Sequence, residues 1–148
     1  MSDSVALYLP SDPPAFSFLS SLPGVDEVVI TEGNEESPQQ YKITFLAMAI
    51  TINVMPSAGM PEHLQAFSNY VMSLHIKTRN SATQSVLERI ASTKTALGCV
   101  IEPGLDKDGC VGGFLTSITK NYSGLMFARD CIFDSDGAPL IQPSRSTR

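Results

Sequence analysis

Residues 81–141 carry the clearest pattern of apolar and polar positions in the chain. Ser81-Ala82-Thr83-Gln84 fits a capping box, in which the serine oxygen accepts the Gln84 N–H and the Gln84 side chain reaches back. Val86, Leu87 and Ile90 follow at helical spacing, which predicts a helix over 81–93. Ala96-Leu97-Gly98-Cys99-Val100-Ile101 is a short, continuous apolar run closed by Pro103-Gly104. Such a run predicts a strand buried on both faces. The stretch 102–109 reads as a polar turn. Val111, Phe114, Leu115 and Ile118 then predict a helix from about 110 to 121. Gly112 and Gly113 inside it cost about 1 kcal/mol each against alanine, so the sequence predicts close packing of that helix on a sheet or another backbone. Gly124 lies a little past its end. Two short strands follow at 125–128 and 131–133, and Asp136-Gly137 forms a tight turn returning through Leu140-Ile141.

The first half is read the same way. Residues 4–9 form a strand ended by Pro10. Ser11 or Asp12 caps a short helix whose first turn holds Pro13 and Pro14, with Phe16, Leu19 and Leu22 inward. Pro23-Gly24 stops it, and 25–31 is a second strand before a polar loop over 32–40. Tyr41, Ile43 and Phe45 alternate with polar residues, and so do Ile50, Ile52 and Val54. Two strands in a hairpin fit this better than one long bulged strand, although no turn residue stands between them. Pro61 opens the next helix, with Leu64, Phe67, Val71 and Leu74 as its apolar stripe. The tail from about 143 is polar and frays.

The predicted order is β-α-β-β-β-α-α-β-α-β-β. Strand, proline, helix, glycine, strand occurs twice, from residues 5 and 97, in element order but not in residue identity. The expected fold is a single α+β domain over 1–148. It is a two-layer sandwich with a mostly antiparallel sheet and helices on one face, related to a duplicated ferredoxin-like β-α-β-β arrangement. In that arrangement strands 5–9 and 97–101 run parallel at the centre, and their following loops share one rim. Ser11, Asp12, Glu102, Asp106 and Asp108, with Cys110 beside them, are then the candidate ligand-binding residues. The rule that ligands gather at the carboxyl ends of strands is carried over from open parallel sheets by analogy.

Composition narrows the class. At 148 residues and 43% hydrophobic the chain is expected to be a soluble globular protein. No apolar run reaches membrane-spanning length, and residues 1–10 lack the basic start and long apolar core of a secretory signal. Three cysteines, Cys99, Cys110 and Cys131, are an odd count with no paired spacing, so reduced thiols in a cytoplasmic setting are expected. Seven acids precede Tyr41 with no Lys or Arg among them, and the net charge is −5. Without a basic face to neutralise phosphates, nucleic-acid binding is rejected.

No motif fixes a reaction. Asp106-Lys107-Asp108-Gly109 and Asp134-Ser135-Asp136-Gly137 resemble fragments of a calcium loop. The positions such a loop needs hold Gly104 and Leu115 in the first, and Ile132 and Pro143 in the second. Asp-Gly turn chemistry accounts for both. Cys110 stands at a helix N-terminus, which favours a thiolate, but Asp106 and Asp108 oppose that. His63 and His75 are not at metal-pair spacing; His63 reads as an exposed first-turn residue and His75 as lying near a helix end. Gly109, Gly112 and Gly113 match no phosphate-loop pattern. No catalytic residue, metal or cofactor is assigned.

Over 94–141 a strand ending in Glu102-Pro103-Gly104 leads to a helix, a strand and an Asp-Gly hairpin. About a third of the chain thus resembles uncharacterised bacterial α+β domains of unknown function, a resemblance that implies no chemistry. The expected function is a non-catalytic domain that binds a partner protein or small ligand, or self-associates, through a sheet face or edge strand. The alternative is a small enzyme built on the 102–110 turn, with Asp106 or Asp108 as base.

Overall fold

In chain order the elements are β1 (Asp3–Leu9), α1 (Phe16–Ser20), β2 (Glu27–Gly33), β3 (Pro38–Thr44), β4 (Ala49–Val54), a 3-10 turn (Ser57–Gly59), α2 (Met60–Thr78), α3 (Ala82–Ala91), β5 (Thr95–Glu102), α4 (Cys110–Tyr122), β6 (Leu125–Ala128), β7 (Cys131–Phe133) and β8 (Pro139–Ile141). The computed structural model describes residues 3–34, 36, 38–45, 48–78, 82–102, 110–128 and 131–141, and the side chains of all of these but 3, 57, 74–78, 82, 110 and 111. Ser81, the expected helix cap, lies outside the described residues. The 41–55 stretch is a hairpin of two strands, β3 and β4, as the two separate alternations predict. No described helix is long and apolar enough to cross a membrane.

The strands join in one open sheet, ordered β2-β3-β4-β5-β1-β6-β7-β8. Every neighbouring pair is antiparallel. This corrects the expected centre: β1 and β5 pair Val5 with Cys99 and Leu7 with Leu97, running in opposite directions. The strand that follows β5 in the chain, β6, reached over α4, runs parallel to it, with β1 inserted between the two. Period-two patterning is identical for parallel and antiparallel partners, so the sequence pattern did not separate them.

Helices lie on both faces, where one face was expected. Val5, Leu7 and Leu9 point to the first face. There they join Leu97, Cys99, Ile101, Tyr41, Ile43, Ile50 and Ile52 beneath Leu19 of α1 and Phe114, Leu115 and Ile118 of α4. Ala6 and Tyr8 point to the second face, under Phe67 and Val71 of α2 and Val86 and Ile90 of α3. The central strand is apolar on both sides, and each side needs its own cover.

Three local expectations are revised. The helix α1 begins at Phe16 with Ala15 at its N-cap and no side-chain cap, so neither Ser11 nor Asp12 serves it. The Ala15 N–H instead donates to the Tyr122 hydroxyl at 2.9 Å. At Gly112 and Gly113 no described atom lies within 4 Å of the place a Cβ would take, so close packing on the described residues does not account for these glycines. The strand β5 is buried on the first face throughout, but on the second only at Ala96; Gly98 is exposed and Val100 half-buried.

Arg89 ties α3 to the β6–β7 end of the sheet. Its Nη1 donates to Asp134 Oδ1 at 2.6 Å, and its Nη2 to the Gly124 carbonyl at 2.8 Å and the Ser135 hydroxyl at 2.7 Å. The Asp134-Ser135-Asp136-Gly137 segment is a turn: the Gly137 N–H donates to the Asp134 carbonyl at 2.9 Å, with Gly137 at φ 90°. The hydrogen bond from Arg89, then that from the Ser135 N–H, hold the Asp134 carboxyl below the usual carboxylate range. A carboxyl with a lowered folded pKa adds stability above its unfolded pKa of about 3.9 and loses it as pH falls through the folded value. Wild-type protein is therefore expected to lose more stability than Asp134→Asn on going from neutral pH into that acid range. Urea midpoints for the two proteins that fall in parallel would show that the pair contributes nothing.

Candidate functional site

Ser11 and Asp12 do not share a rim with Glu102. Ser11 and Asp12 follow the end of β1, beside the start of β5: Thr95 Oγ1 donates to the Ser11 carbonyl at 2.6 Å, and Lys94 Nζ sits 2.9 Å from Asp12 Oδ1. Both members of that ion pair are solvent-exposed, so its stabilisation is small. Glu102 ends β5 at the opposite edge of the sheet, near Asp3, roughly 20–25 Å away at the rise of an extended strand. The helix α4 starts at Cys110 on that far side and ends at Tyr122 beside Ala15. Asp106, Asp108 and the side chain of Cys110 lie outside the described residues, and so does Lys107. Antiparallel pairing of β1 with β5 is the reason Ser11 and Asp12 part from Glu102.

The sheet offers a different site. One cross-strand row on the second face runs Gln40, Asn53, Gly98, Ala6, Phe127, Ile132, Ile141 through successive partners. Its apolar end is covered by α2 and α3, and its polar end is open. On β2, β3 and β4 this face carries Val29, Thr31, Lys42, Thr44, Thr51 and Asn53, none of them buried. Between the two halves lies a trough floored by the smallest residues of the row, Ala6 and Gly98.

Two open volumes, about 360 and 270 Å³, meet over Ala6, Asn53 and Gly98. Nothing lies within 4 Å of the place a Cβ on Gly98 would take, and its φ is not positive, so its backbone suits any residue. Aromatic rings form the covered wall. His63, Phe67 and Tyr70 recur along one side of α2; Phe67 stacks on Tyr8 with centroids 4.6 Å apart and meets Phe127 at 5.2 Å. Tyr8 also stacks on His63, and its hydroxyl lies 2.8 Å from His63 Nε2. His63 is thus half-buried and paired, not the exposed first-turn residue expected. Burial pushes the Tyr8 phenol up to about 12, which keeps it a proton donor near neutral pH.

The open wall is held by amides. Gln40 Nε2 donates to Asn53 Oδ1 at 2.6 Å, which orients Asn53 and turns its own NH2 group outward as a donor without a protein partner among the described residues. No Asp, Glu, Lys or Arg is among the described residues lining the trough. Burial raises the Cys99 thiol to about 12, and its side chain points to the other face. No group of three or more His, Cys, Asp or Glu among the described residues is placed to hold a metal.

Of the six candidate residues named from the sequence, Ser11, Asp12 and Glu102 are not among the residues lining this trough, and Asp106, Asp108 and the Cys110 side chain lie outside the described residues. The signals that mark it were present but weak. One is a glycine interrupting the 96–101 apolar run, and another is aromatic residues at 63, 67 and 70 on one helix stripe. Asn53 in the otherwise apolar alternation of β4 is the third. Compared with protein-family models, curated proteins and solved structures, the chain shows no match.

Proposed function

We infer that this chain is a non-catalytic binding domain and that it holds a small molecule in the trough over Gly98. The observation that carries this reading is the empty space above that residue. A glycine inside a central strand loses side-chain packing and strand propensity, and it is favoured where another group approaches the backbone closely. Here no described protein group comes within 4 Å of the place a Cβ would take, and the backbone conformation does not call for glycine. The lining supports binding over catalysis. Among the described residues lining the trough, the titratable side chains on this face are Tyr8 and His63, the Cys99 thiol points to the other face, and no carboxylate is among them.

The test is a thermal-shift screen of a metabolite library on wild type and Gly98→Val in parallel. A true ligand at a hundred times its Kd raises the wild-type Tm by about 5–10 °C and leaves the filled variant unmoved. A library in which every stabilising compound acts equally on both proteins would remove the trough from the reading.

A further inference from the structure

Resting on the trough as the binding site, we propose that its ligand is a neutral, planar heteroaromatic molecule that lies flat on Gly98 and presents a hydrogen-bond acceptor to the Asn53 side-chain amide. Three independent features of the cavity select this class.

The first is charge. The described lining contains no Asp, Glu, Lys or Arg, so the described residues that line it offer no counter-charge to a phosphate, carboxylate or ammonium group. The second is shape. Ala6 and Gly98 are cross-strand partners, and between them only one methyl group rises from the pleat. Gly98 itself is exposed, so its backbone is open to a ligand on this face. In sheets, a glycine can be shielded by an aromatic side chain laid across it from a neighbouring strand. Its cross-strand partners here are Ala6 and Asn53, and neither supplies a ring. A ring from outside the chain completes that arrangement. It also adds to the rings already stacked along the covered wall, where Phe127, Tyr8 and His63 are among the lining residues. The third is an oriented donor. Gln40 fixes the Asn53 carbonyl, which leaves the Asn53 NH2 group directed away from the Gln40 side and free to meet an acceptor. Volumes of about 360 and 270 Å³ suit one fused two-ring system with small substituents.

The experiment is an NMR titration of the full chain with three probes: quinoxaline, which is flat with ring-nitrogen acceptors; indole, which is flat with a donor only; and cyclohexanol, which is neither flat nor aromatic. A ring lying on Gly98 shifts its Hα protons upfield through the ring current, a signature that a non-aromatic ligand does not produce. Quinoxaline is expected to give that shift together with changes at the Ala6 and Asn53 amides, and indole a weaker version. Asn53→Ala should weaken quinoxaline about fivefold, the worth of one ordinary hydrogen bond, and leave indole unchanged. Gly98→Ala should weaken both rings and Gly98→Val should abolish both, with either variant at least as heat-stable as wild type, since the added carbons enter empty space.

Equal amide shifts from cyclohexanol, with no upfield movement of Gly98 Hα from either ring, would overturn the planar class and leave the trough as a binding site. Binding of quinoxaline to Gly98→Val with wild-type affinity would overturn the site itself. A Gly-Phe-Gly amide that reproduces the upfield shift while quinoxaline gives none would assign the position to a partner protein's side chain, and the small-molecule proposal would fall.

Discussion

Leu97→Asp should yield no cooperatively folding protein, whereas Val100→Asp, three residues along the same strand, should fold. Leu97 is 1% exposed and faces the larger core, across from Leu7 on one side and Val54 on the other. A carboxylate there has no partner, and burying it unpaired costs several kcal/mol against a total stability of about 5–15 kcal/mol. The apolar run 96–101 predicts the same fate for Val100, because it reads as buried on both faces. The structure places Val100 on the second face, half-buried at the open side of the trough, where an aspartate reaches water. Expression of both variants, followed by urea unfolding, tests the alternation directly. A folded Leu97→Asp protein, or a Val100→Asp protein that does not fold, would overturn the assignment of faces along β5.

Gly124→Ala should cost about 1–3 kcal/mol, the usual penalty for forcing atoms into a well-packed site. The helix α4 ends with Ser123, not glycine, in the left-handed region at φ 56°, and the Gly124 N–H closes the turn on the Thr119 carbonyl at 2.9 Å. Glycine is therefore required at 124 for space. A Cβ there would overlap the Leu9 side chain and lie 2.9 Å from the Tyr8 carbonyl oxygen, which is backbone of the central strand and has little freedom to move. The Gly124 carbonyl also accepts from Arg89 and Ser135, so displacement of this residue disturbs the α3 anchor as well. Thermal unfolding of the variant measures the cost. A midpoint equal to wild type would show that the helix end relaxes away from β1 without penalty. Gly98 is the contrasting case, a glycine whose replacement meets open space and is expected to leave stability equal or higher.

The two glycines show how far the chain's pattern can be read. Gly98 and Gly124 look alike in sequence, each beside an apolar segment, yet one lies under a cavity and the other against a backbone. Their difference depends on which strand or helix comes to lie next to them, and that neighbour is distant in sequence. The candidate rim illustrates the same limit. Strand–helix order around Ser11, Asp12 and Glu102 was read correctly, but pairing direction was inferred from an apparent duplication. Reversing that direction carried Glu102 to the far end of the sheet. His63 was read from its helix position alone, as an exposed residue, because its partner Tyr8 is 55 residues away.

Local pattern was enough for the helices, most strand positions, the β3–β4 hairpin and the Asp-Gly turn at 134–137, since each depends on contacts within one element or between adjacent ones. Periodicity reports which residues share a face of an element, and proline and glycine report where that element stops. Strand order, the antiparallel centre, helices on both faces and the trough came only from the folded chain. Each depends on pairing between segments dozens of residues apart, and the same alternation of apolar and polar residues satisfies a parallel neighbour as well as an antiparallel one.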